Sequence, residues 1–76
     1  MRLEVIKLDI FQISLSAARV NAELTQAEVA DKMGVTKRTI VNWEKGVIKP
    51  NAASLNMLSS IYKIPVDYIF LPGQST

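Results

Sequence analysis

Apolar positions recur at three- and four-residue intervals in five short runs, each closed by glycine, proline or a polar cluster, and this period predicts helices. Asp9 with Gln12 has the form of a capping box. A helix from about Ile10 to Ala22 then sets Ile10, Ile13, Ala17 and Val20 on one stripe, with Ser14 as a rival start. Thr25 with Glu28 is a second capping box, ahead of Ala27, Val29, Ala30 and Met33 in a helix of about 25–33 that Gly34 closes. Thr36 is the N-cap of a third helix, about 36–45, and Gly46 its C-terminal cap. Pro50 and Asn51 open a fourth, where Leu55, Leu58 and Ile61 or Tyr62 keep helical spacing until Pro65 forces an end. A fifth, Val66 to about Phe70, tucks Val66, Ile69 and Phe70 into the core. The expected fold is a compact all-α, five-helix domain.

Ahead of the helices, residues 1–8 mix β-branched and charged side chains without alternation and read as an extended arm or short strand. Residues 9–71 form the domain and 72–76 a polar tail. Seventy-six residues support a single core. With no cysteine there is no disulfide framework or thiolate metal site, and a reducing, cytoplasmic location is expected. Arg2, Glu4, Lys7 and Asp9 interrupt the first apolar residues, so no signal peptide or membrane span is expected.

Gln26 to Glu44 carries the most specific signal. Ala30, Gly34 and Ile40 supply the steric skeleton of a helix-turn-helix: a small residue where two helices cross, a glycine for the positive φ of the turn, and an anchor in the second helix. The net charge of +2 says little, but its distribution says more. From Gly34 to Pro50 four basic residues (Lys37, Arg38, Lys45, Lys49) face one acid, Glu44, whereas the remainder holds five basic and six acidic residues. A charge run by itself is ordinarily a solvated face. Opening the second helix of this skeleton, it points to double-stranded DNA.

At about 100° per residue, Thr36, Ile40 and Trp43 share an arc of roughly 60° in the third helix, and Lys37, Arg38, Val41, Asn42 and Lys45 fill a separate arc of about 140°. The first arc packs, with Trp43 filling core, and the second reads. Lys37 and Arg38 suit guanine O6 and N7, and Asn42 suits adenine. Val41 is neutral on a solvent-facing helix or packs on a thymine methyl in a groove. Candidates for phosphate are Thr25, Gln26 and Thr36 at helix N-termini, with Lys45 and Lys49 after the third helix. Thr25 and Thr36 also serve as caps.

The stretch from Ile13 to Phe70, through LTQAEVADKMGV, TIVNWEKG and Pro50, resembles the Cro and lambda-repressor-like family of five-helix DNA-binding domains. The resemblance implies that Gln26 and Lys45 hold phosphates, that Lys37, Arg38 and Asn42 face bases, and that Thr39 lies beside the backbone or a base edge. It also implies an ion pair between Arg19 and Glu44. Relatives often carry glutamine or serine where Lys37 and Arg38 stand, so no operator sequence transfers. Without a second domain, the chain looks like a small phage or mobile-element repressor of the Cro kind.

An enzyme is not expected: histidine and cysteine are absent, and Glu28 and Asp31 read as a solvated helix face. No cofactor, metal or small-molecule ligand is expected. The rival functions are a DNA-binding antitoxin and a protein-interaction module that has lost DNA binding. One helix reads few base pairs, so a homodimer on a palindromic operator is expected. Its surface is either the C-terminal cluster Tyr68, Ile69, Phe70 and Leu71 or the arm with Leu3, Val5 and Ile6.

Overall fold

Four short polar side chains start the four α-helices found among residues 12–72, which the computed structural model describes. Ser14 Oγ accepts from the Ala17 N–H at 3.1 Å and opens α1 (Leu15–Asn21). Thr25 opens α2 (Gln26–Met33) with a reciprocal box: its Oγ1 accepts from the Glu28 N–H at 3.0 Å, and its own N–H donates to Glu28 Oε1 at 2.8 Å. Thr36 Oγ1 accepts from the Thr39 N–H at 3.2 Å to start α3 (Lys37–Lys45), and Asn51 Oδ1 accepts from the Ser54 N–H at 2.8 Å to start α4 (Ala52–Tyr62). Each such cap satisfies an otherwise orphaned N–H and contributes about 1 kcal/mol.

The far ends of α2 and α3 close on glycines in the left-handed region, Gly34 at φ 70° and Gly46 at φ 81°. These tight stops let the chain reverse at once. α2 and α3 therefore cross closely, and theirs is the most extensive contact between elements. Ala30, buried on α2, keeps the crossing close because it has no side chain beyond Cβ.

Both ends of the described chain differ from the sequence expectation. Ile13–Ser14 is a two-residue strand, β1, and pairs in parallel with β2 (Ile69–Phe70) in the register Ile13 to Ile69 and Ser14 to Phe70. A cap must be extended, and Ser14 at ψ 161° cannot lie inside a helix, so α1 begins at Leu15 rather than Ile10. The helical phase shifts with it. Leu15 and Ala18 are buried, while Ala17 and Val20 of the expected stripe are exposed.

The expected fifth helix is replaced by a single 3₁₀ turn, Val66–Tyr68, after which Ile69 turns extended to meet Ile13. Strand periodicity of two points Ile69 and Leu71 inward and Phe70 outward, where helical periodicity had placed Phe70 inside. The fold is thus helical with four α-helices, not five, among the described residues. The arm of residues 1–8, the cap at Asp9, Ile10 and the tail residues 73–76 lie outside the described residues.

Among the described residues, Leu15, Ala18, Val29, Ala30, Ile40, Trp43, Leu58, Tyr62, Ile69 and Leu71 form the core, so α1 to α4 and β2 all contribute to it. A fully buried Leu or Ile contributes about 1.5–3 kcal/mol, and this one cluster holds α3 against the rest of the domain. No helix among the described residues is long and apolar enough to cross a membrane.

Candidate nucleic-acid interface

α3 separates its side chains by face. Ile40 and Trp43 are buried, and Lys37, Arg38 and Lys45 are exposed. Thr39, Val41 and Asn42 are half-buried, at the border between core and solvent. Thr36, expected on the packing arc with Ile40 and Trp43, is exposed instead, because a cap precedes the helix and does not share its phase. Its hydroxyl lies 3.0 Å from that of Thr39, so these two side chains are linked at the start of α3. Lys49 is exposed in the loop that follows, beyond the left-handed Gly46.

The N-terminus of α2 is joined to α3 by a polar network. Arg19 Nε donates to Glu44 Oε2 at 2.6 Å and Nη2 to Oε1 at 3.2 Å, a two-pronged pair whose side chains are 15% and 8% exposed. Arg19 Nη1 also donates to the Leu24 carbonyl at 3.0 Å, which anchors the turn ahead of Thr25. Gln26 Nε2 donates to Glu44 Oε1 at 2.9 Å. Hydrogen bonding to Glu44 raises the Arg19 pKa further above its ordinary value, against the opposing effect of burial. Tyr62, buried beside this pair, has its phenol pushed up to about 12, first by burial and then by the charge of Glu44.

The network brings Gln26 to within one hydrogen bond of α3 without using up its amide. That amide carries a second N–H, and Gln26 stands at the positive end of α2, the end that favours an anion. Thr25 is exposed beside it, its oxygen occupied by the capping bond while its O–H is a donor. The tie between Gln26 and Glu44 has no sequence signature, since the residues lie in separate helices. The same holds for the Leu24 carbonyl under Arg19. Two side chains missed by the sequence reading also border this surface: Val47 and Ile48, between Lys45 and Lys49, are exposed.

Residues 15–69 match the family model described as helix-turn-helix. The chain is 34% identical over 65 residues to the uncharacterized HTH-type transcriptional regulator YqaE of Bacillus subtilis (strain 168), covering 86% of this chain and 55% of that protein. It is 34% identical over 56 residues to the cryptic phage CTXphi transcriptional repressor RstR of Vibrio cholerae, covering 74% of this chain and 50% of that protein. With the HTH-type transcriptional regulator ImmR of Bacillus subtilis (strain 168) it shares 33% identity over 55 residues, 72% of this chain and 43% of that protein. The chain thus spans about half the length of these curated relatives. No solved structure matches it significantly. On the family match, which covers the four α-helices of the described residues, the chain belongs to the helix-turn-helix family.

Proposed function

We propose that the chain is the DNA-reading part of a sequence-specific transcriptional regulator, a Cro-like repressor of phage or mobile-element type, acting as a homodimer on a palindromic operator. The observation that carries this reading is the face of α3, where Lys37, Arg38 and Lys45 stand exposed over a helix anchored by buried Ile40 and Trp43. Family membership and the regulators among its relatives, one a phage repressor, support it. Such a role implies a cytoplasmic location and requires no cofactor.

In this reading Lys37, Arg38, Thr39, Val41 and Asn42 face base edges, and Gln26, Lys45, Lys49 and the capping threonines Thr25 and Thr36 hold the two flanking phosphate tracks. The α2 N-terminus lies beside the last turn of the reading helix, where Gln26 bonds to Glu44, next to Lys45 and the loop that follows. The Arg19–Glu44 pair ties α1 to α3 beside the Gln26–Glu44 bond.

Binding of the wild type to a duplex selected from a random pool, measured against salt, tests the proposal. Log affinity is expected to fall linearly with log salt, and Lys45→Ala to reduce that slope by about one with little change in sequence preference. Arg38→Ala and Asn42→Ala are each expected to cost about 1–3 kcal/mol on the selected site and to relax preference at particular base pairs. Failure of the wild type to bind any duplex at low salt overturns the proposal in favour of a protein-interaction module.

A further inference from the structure

A cleft of about 550 Å³ opens where the end of α1, the last turn of α2 and the end of α4 meet. Its floor is apolar: Leu24, Ile61 and Ile64 are half-buried against the core, and Tyr62 is buried. Lys32 and Lys63 are exposed at its rim. Among the described residues no acid lines the cleft, and neither lysine has an ion-pair partner. No pattern along the chain marks this place, because three helices bring its walls together.

Lys63 stands out by its backbone. It caps α4 in the left-handed region at φ 58°, the position where glycines close α2 and α3. A side chain is strained there and glycine would relieve the strain, so the lysine points to a use for its ammonium group. Cations also suit the carbonyl ends of α2 and α4, but that role asks for no apolar cleft between them.

We propose that this cleft binds a small amphipathic carboxylate, with its anion on Lys32 and Lys63 and its alkyl or aryl body on Leu24, Ile61 and Ile64. The volume lies within the range of about 300–1,000 Å³ typical of small-molecule sites, which combine apolar walls with a few placed polar groups. Two positive charges with no acid beside them select an anion over a neutral or cationic molecule. Leu24 and Tyr62 connect the cleft to α3. The Leu24 carbonyl accepts from Arg19 Nη1 at 3.0 Å, and Tyr62 lies close enough to Glu44 and Arg19 for both charges to act on its phenol. An occupant that braces Leu24 and Tyr62 holds the Arg19–Glu44–Gln26 network in place and so tightens operator binding, and by linkage the operator tightens the carboxylate by the same factor. This coupling rests on the DNA reading above, whereas the binding step does not.

Octanoate below its micellar range is the probe, and amide shifts of the full chain are the readout. Shifts at Leu24, Tyr62 and Ile64 are expected to saturate, with octanol, which has the same chain length and no charge, binding more weakly. Lys32→Ala and Lys63→Gly are each expected to lower octanoate affinity about threefold, as exposed ion pairs do. Lys63→Gly separates binding from stability: freed of left-handed strain, it is expected to melt no lower than wild type. Saturating octanoate is expected to raise operator affinity about fivefold. Shifts that do not saturate, equal affinity for octanol, or octanoate affinity unchanged in both variants overturn the proposal. Shifts at these residues that move with protein concentration alone give the cleft to a second copy and overturn it as well. Unchanged affinity for a duplex that the wild type binds overturns the coupling to Gln26, and a wild type that binds no duplex overturns the DNA reading while the octanoate result stands.

Discussion

Gln26 and Glu44 meet through one hydrogen bond, Nε2 to Oε1 at 2.9 Å, which ties the first residue of α2 to the last turn of α3. The same carboxylate takes two N–H groups from Arg19 on α1, so three helices converge on Glu44. Both charges are largely buried, and such a pair is costly to break from one side because the remaining charge is left uncompensated.

Glu44→Ala is therefore expected to destabilise the domain by about 3–5 kcal/mol, through the stranded Arg19 guanidinium and the released Gln26 amide. Urea unfolding measures this. Glu44→Gln keeps an acceptor for Gln26 but loses the charge facing Arg19, so its unfolding midpoint is expected between those of Glu44→Ala and wild type. Equal midpoints for Glu44→Ala and wild type would show that the pair contributes nothing to stability.

The two left-handed glycines differ in what surrounds them. Gly34→Ala meets nothing within 4 Å and is expected to cost only the backbone penalty of about 1–2 kcal/mol. Gly46→Ala carries a similar penalty and also drives its Cβ to 2.7 Å from Pro72 Cβ, so the C-terminal segment must shift. The ratio of destabilisation measured by chemical unfolding should favour Gly46→Ala as the more damaging change. The reverse order would mean that Pro72 does not rest on Gly46.

The phase of α1 predicts a sharp contrast between two of its residues. Leu15, 2% exposed, is expected to cost about 2–5 kcal/mol when changed to alanine. Val20, 63% exposed, is expected to change stability by no more than about 0.5 kcal/mol. Paired thermal melts of the two variants check this, and a large loss at Val20 would restore the helix that starts at Ile10.

Tyr62 adds an alkaline limit. Its phenol is neutral in the folded state up to about 12, whereas the unfolded chain ionises it near the ordinary 10.0. The raised folded value means that the stabilisation is fully present below pH 10.0 and is lost as pH rises towards about 12, because only the unfolded chain gains by releasing the proton. Unfolding midpoints followed across this range should fall, and Tyr62→Phe should fall less steeply. An identical fall in both proteins would assign the alkaline loss to other groups.

Local signals were legible without a structure. Thr25 with Glu28, Thr36 and Asn51 act over three residues along the chain, and Gly34 and Gly46 stop helices by their own backbone freedom. The helical period likewise set buried Ile40 and Trp43 apart from exposed Lys37, Arg38 and Lys45 on α3. Such features depend on neighbours in sequence, so the amino-acid order alone determines them.

The ends of the domain were decided by packing. Ser14, legible as a rival start, caps α1 through a bond three residues along the chain. Ile13 and Ile69, however, are remote in sequence, and their parallel pairing goes with an extended Ile13 and with Phe70 turned outward while Leu71 goes in. A sequence that satisfies either a helical period of 3.6 or a strand period of two over four or five residues is ambiguous until a partner strand selects one. The bond from Gln26 to Glu44 and the contact of Pro72 with Gly46 are of the same kind. They exist because the shared core brings distant segments together, and no pattern along the chain encodes that meeting.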